Sequence, residues 1–155
     1  MSYKRRITLC LLLLCLGQPR PSPAQGTSDP DIDALDRKVR QFFDGVSADD
    51  AQAAYKRLLD GSQLAKQAEA VKGLVDKTRE LKTKYGDFRN YELVTAKRIG
   101  KDVVVLKYLY QCEHFPVVWY VTFYRSPQRG DPGEEGNSWR VVILRFDTDL
   151  ESLAK

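Results

Sequence analysis

The chain has 155 residues with 25 Lys+Arg and 21 Asp+Glu, enough for one hydrophobic core and too few for two comfortable domains. Residues 1–24 hold four of the basic residues (Lys4, Arg5, Arg6, Arg20) and no acid, so the remainder balances at formal zero. Nucleic-acid binding therefore loses its global electrostatic support. Cys112 is the one cysteine beyond that stretch, so with residues 1–24 removed no intrachain disulfide is expected and stability is left to core packing.

The amino-terminal stretch follows the three-part plan of a secretory signal. Its start is basic, Ile7–Leu16 is apolar, and Ser22-Pro23-Ala24 places cleavage between Ala24 and Gln25. The apolar run falls short of the ~20 residues a stable transmembrane helix needs, so no membrane span is expected after cleavage. Leucine precedes both Cys10 and Cys15, where a lipoprotein signal wants a small residue, and a bare Arg5-Arg6 pair is weak evidence for twin-arginine export. The chain reads as secreted or periplasmic, with a single domain over residues 25–155.

Three helices follow. Asp29-Pro30 is a cap followed by proline at the first helical position, and Ile32, Leu35, Val39, Phe42, Phe43 and Val46 form one stripe up to the exit at Gly45-Val46. Ser47 with an acid three residues on predicts a second helix, buried through Ala51, Ala54, Tyr55, Leu58 and Leu59 and stopped by Gly61. Ser62 is expected to cap a third helix running to Tyr85, with Gly86 as its terminator. Its outer side carries Lys66, Lys72, Lys77, Lys82 and Lys84, which reads as a solvated face, with contact to an anionic surface as the functional counterpart.

Four strands complete the chain. Asn90–Ile99 is the weakest and is placed near an edge, whereas Val103–Cys112, Val117–Arg125 and Trp139–Asp147 are dense in β-branched and aromatic residues. Thr148–Lys155 is expected to form a last helical turn. The order predicts an α+β domain in which three N-terminal helices pack on one face of a curved, mainly antiparallel four-stranded sheet. Alternation splits each strand into two sets, and neither set is polar. Helices need only one face. The other is expected to close by a back-to-back homodimer through Trp119 and Phe123, or under the chain's own Ser126–Ser138 loop, whose charges and glycines make it the poorer cover.

Phe42-Phe43 followed by Ser47-Ala48-Asp49-Asp50-Ala51-Gln52-Ala53-Ala54-Tyr55 is similar to the opening of nuclear transport factor 2-like domains. Trp119–Tyr124 and Trp139-Arg140-Val141-Val142 resemble their late strands. The resemblance implies a cone-shaped, cystatin-like roll of the kind found in exported bacterial proteins without assigned activity. It also implies an alternative, an isomerase- or cyclase-like enzyme using an aspartate base beside tyrosine donors in the cone. No strand is read around Gly61, where that fold carries one, and no position matches the base.

Candidate ligand-binding residues are therefore Tyr108, Tyr110, Tyr120, Tyr124 and the mid-strand Lys107. Tyrosines at strand spacing are equally core residues whose hydroxyls reach water or a carbonyl. No metal or other cofactor is implied. His114 is the one histidine, and Cys112 two residues away is too thin a ligand set; as a nucleophile and base the pair lacks an orienting third group. The leading reading is an exported, non-enzymatic domain that binds a small ligand or a protein partner through the sheet.

Overall fold

The computed structural model describes residues 29–125 and 138–153. Residues 1–24, read above as an expected signal, and nearly all of the Ser126–Ser138 loop lie outside the described residues. Helix α1 spans Pro30–Ser47, α2 Ala51–Leu58 and α3 Ala68–Tyr85, followed by strands β1 (Phe88–Ile99), β2 (Val103–Cys112), β3 (Pro116–Arg125) and β4 (Trp139–Asp147). The strands form an open antiparallel meander in the order β1-β2-β3-β4. The domain is α+β, with the helices gathered on one face. Among the described residues no helix is long and apolar enough to cross a membrane.

Asp29 caps α1, its carboxylate accepting from the Asp31 N–H at 3.1 Å, and Pro30 opens the helix with the preset φ. Leu35, Val39, Phe42 and Phe43 are the buried stripe. Near the end of α1, a Cβ on Gly45 would stand 2.9 Å from the Ala54 Cβ, so glycine is what lets α2 fold back this closely. The second helix starts at Ala51 rather than Ser47, because the Ser47 hydroxyl donates to the Asp44 carbonyl within the last turn of α1. The third starts at Ala68. Ser62 caps only a short 3-10 turn, Leu64–Lys66, by accepting from the Ala65 N–H.

At the α3–β1 junction Gly86 has φ +84°, and a Cβ there would meet the Glu113 Cβ at 2.7 Å. The junction lies against the β2–β3 turn: the Glu113 N–H donates to the Asp87 carbonyl and the His114 N–H to that of Tyr85. This pairing starts β1 at Phe88, two residues ahead of the stretch the alternation marks out.

The core sits between α1, α2 and the inner face of the sheet. Trp119, 0% exposed, packs its ring within 5.4 Å of Phe42, 5.5 Å of Phe43 and 4.4 Å of Phe146. Phe123 is equally buried, facing Val104 in register. Both were expected on an uncovered face; both lie beneath the helices. The alternation sorts them correctly into one set, but period two does not say which set the helices take.

The outer face is divided. The C-terminal 3-10 turn Leu150–Leu153 folds onto one half, where Lys107 Nζ donates to the Ser152 carbonyl at 3.1 Å and the Tyr120 hydroxyl is hydrogen-bonded to Ser152 Oγ. Arg145 lies over the Tyr120 ring at 4.0 Å, and Val118 beneath is 0% exposed. The other half is open, with Ile99, Tyr124, Val142 and Ile143 exposed. Val142 is the extra residue of a bulge in β4.

Replacing Trp119 by Ala should lower stability by about 3–5 kcal/mol, the range for emptying a large aromatic site. Urea denaturation measures it, and a loss below about 1 kcal/mol would contradict the placement of this ring at the centre of the core.

Candidate functional site

The five candidate residues separate by face. Tyr108 and Tyr110 point toward the helices, while Lys107, Tyr120 and Tyr124 point outward, so they line no common pocket. Tyr120 and Lys107 hold the C-terminal turn, and Tyr124 lies on the open half of the outer face.

Tyr108 has a carboxylate beside it. Its hydroxyl donates to Asp36 Oδ1 at 2.5 Å, and Arg40 Nε donates to Asp36 Oδ2 at 2.7 Å. Nearby, the Tyr91 hydroxyl donates to Asp44 at 3.0 Å beneath the Arg40 guanidinium. These contacts pin α1 to the sheet. The concavity in which a substrate would meet them is occupied by Phe42, Phe43, Tyr55 and Trp119, packed edge to face. Tyr55 is satisfied too, hydrogen-bonded at 2.8 Å to Thr78, which itself donates to the Leu74 carbonyl.

Tyr110 differs. It is 4% exposed, and its hydroxyl makes no hydrogen bond among the described residues. It lies two residues along β2 from Tyr108, where α1 offers no second free acid, since Asp44 serves Tyr91. Phe88 and Phe43 hold its ring at 4.8 and 5.5 Å. The hydroxyl borders a cleft of about 270 Å³ between the α1–α2 turn, α3 and the Gly86–Phe88 junction. Cys112 shares the floor, and Val46, Ala51 and Leu81 supply apolar walls.

Charge collects at the mouth of this cleft. Lys82 Nζ stands 3.3 Å from Asp87 and 3.9 Å from Asp49, bridging α3 to both flanking turns. Asp49 takes a left-handed backbone, φ +60°, which aspartate tolerates better than most residues. Burial pushes the Tyr110 phenol well above its ordinary range, with Cys112 and Asp49 adding to the shift, so the group stays protonated. Burial also raises the Cys112 thiol, which keeps it neutral and a poor nucleophile. His114 is exposed in the turn beyond. No group of three or more metal-ligating side chains converges among the described residues.

A larger groove of about 950 Å³ runs between α2 and α3, but its floor of Ala53, Leu59, Val71 and Val75 holds no buried polar group in need of a partner. The Tyr110 cleft is the better-built site. Of its residues the sequence singled out Tyr110, weighed Cys112 as a nucleophile, read Lys82 as part of a solvated lysine face, and gave Asp49 and Asp87 no role. Gly86 was visible only as a helix stop. Comparison with protein-family models, with curated proteins and with solved structures gave no match.

Burial raises the phenols of Tyr55, Tyr108 and Tyr110, so the folded state keeps protons that the unfolded chain releases near pH 10. The stability they confer is complete below about pH 10 and falls as pH rises beyond it. Urea midpoints between pH 8 and 11.5 should decline above about pH 10, and less steeply in Tyr110→Phe. An identical slope in that variant would contradict the burial of the Tyr110 hydroxyl.

Proposed function

We propose that this protein is an exported, non-enzymatic binding domain whose small-molecule site is the Tyr110 cleft. The observation that carries the reading is Tyr110, a residue 4% exposed that lines the cleft and whose hydroxyl makes no hydrogen bond among the described residues. A ligand oxygen accepting from that hydroxyl would add about 0.5–1.5 kcal/mol, the net worth of one hydrogen bond. The protonated phenol and neutral thiol supply no general base or nucleophile, and the one close tyrosine–carboxylate pair, Tyr108 with Asp36, is enclosed by aromatic rings. Those features weigh against the isomerase- or cyclase-like alternative. The order of three helices and an antiparallel meander supports the resemblance to nuclear transport factor 2-like domains. Export rests on the three-part segment 1–24.

A fragment screen followed by amide chemical shifts tests the site. Bound fragments should shift Asp49, Thr78, Phe88 and Cys112 together, and Tyr110→Phe should weaken the best of them by about three- to tenfold, the worth of one hydrogen bond. Fragments that bind only elsewhere would sink the reading.

Self-association through the sheet is favoured by a separate observation, the open outer strip of Ile99, Tyr124, Val142 and Ile143. Between them the register places Val103, Val105 and Thr122, with the cations Lys97 and Arg140 at the two edges, so a twofold contact would centre on apolar and hydroxyl side chains. The homodimer thus moves from Trp119 and Phe123 to this strip. Light scattering at micromolar concentration should show a dimer that Ile143→Lys converts to monomer; a wild-type mass that stays monomeric on concentration removes the dimer.

A further inference from the structure

The two ends of the Tyr110 cleft ask for different things. At the mouth, Asp49 and Asp87 flank the single ammonium of Lys82, while Arg79, which also lines the cleft, faces Asp76 just outside it at 3.7 Å, so three carboxylates meet two cations. The mouth therefore carries one more carboxylate than cation, and Lys82 occupies internally the position between two acids that an external amine would take. At the floor, Tyr110 presents a proton-bearing hydroxyl with no acceptor among the described residues. Between the two lies an apolar wall of Val46, Ala51, Leu81 and Phe88.

We infer that the cleft selects a small amphipathic amine: an ammonium group held between Asp49 and Asp87, an apolar middle against Phe88, and a hydroxyl or carbonyl oxygen accepting from Tyr110. This inference rests on the cleft being the ligand site. An ammonium offers three donors and no acceptor, which suits a pair of carboxylates. Carboxylic acids would meet the excess negative charge at the mouth and bury a charge without a counter-ion at the floor. The negative influence of Asp49 on the Tyr110 phenol has the same sign. Lys82 then acts as an intramolecular competitor that the ligand displaces.

The test uses the full chain and three probes of one shape, tyramine, phenethylamine and 4-hydroxyphenylacetate, titrated by amide chemical shifts. Tyramine should bind about three- to tenfold tighter than phenethylamine, and Tyr110→Phe should erase that difference. Tyramine should also exceed 4-hydroxyphenylacetate by about tenfold, with Asp49→Asn plus Asp87→Asn removing most of the preference; asparagine keeps the left-handed backbone of position 49 accessible. Lys82→Gln should raise tyramine affinity by about two- to fivefold, the scale of an exposed ion pair. Equal or tighter binding of the acid, or no gain in Lys82→Gln, overturns the inference while leaving the cleft a ligand site. Failure of every amine at the cleft, while other fragments shift Tyr110, overturns it likewise. Failure of all fragments there removes the site and the inference together.

Discussion

A four-stranded sheet that is apolar on both faces must be covered twice, and this requirement governs the rest of the molecule. The inner face is covered by α1, whose Phe42-Phe43 pair meets Trp119 at the centre of the sheet. The outer face is too long for its cover. A four-residue C-terminal turn closes over Val118 and Tyr120 and stops short of Ile143. A mid-strand lysine makes sense in this light: Lys107 spends its charge on the Ser152 carbonyl and its stem on the sheet, anchoring the turn that shields its neighbours.

The same demand sorts the tyrosines. A phenol sits best in a core when its hydroxyl reaches a partner, and every inward-facing one but Tyr110 finds that partner on a helix. Tyr108 uses Asp36 and Tyr91 uses Asp44, both on α1; Tyr55 uses Thr78 on α3. Tyr110 falls beyond the reach of these acids, at the point where the helices part and the Gly86 junction bends away. The exception to a satisfied set is more informative than any single tyrosine. Enclosed pairs such as Tyr108–Asp36 resemble catalytic dyads in composition, yet their neighbours leave no room for a substrate.

Much of this was legible in the sequence. The helical stripes, the Asp29-Pro30 cap, the strand bounds of β2 and the two-set alternation follow from period and propensity, which are local. Which set faces the helices is not local. Trp119 and Phe123 were sorted together correctly and then assigned to the wrong side, because both sets are apolar. The partners of Lys107 and Tyr108 lie 45 and 72 residues away and belong to segments whose approach no spacing rule gives. Asp49, Lys82 and Asp87 carry no signal of their own. They become a site only when three turns meet at one end of the sheet. Ser47 failed as a cap for a simpler reason: α1 runs one residue past its expected exit at Gly45-Val46 and takes Ser47 in, so the hydroxyl serves the helix behind it.

The two ends of the sheet are finished in opposite ways, and this locates the Tyr110 cleft. At the β1–β2 hairpin end, Asp29 caps α1 and receives Arg98 at 2.5 Å, while Asp31 receives Arg98 at 2.9 Å and Arg125 at 3.4 Å. Arg125 also reaches Asp102, and the Trp139 ring lies beneath both guanidinium groups. Arg98 holds the Asp29 carboxyl below its ordinary range, so the charge that stabilises the helix start is fixed by the strand end. Each of these aspartates and guanidinium groups answers another. At the Gly86 end the closure is made by backbone pairing to the β2–β3 turn, which satisfies the chain but leaves the side chains of Tyr110 and Cys112 facing a gap. Backbone hydrogen bonds fix a junction without filling it. A domain closed at one end by interlocked aspartates and arginines, and at the other by backbone pairing under exposed ion pairs, keeps an open cleft at the second.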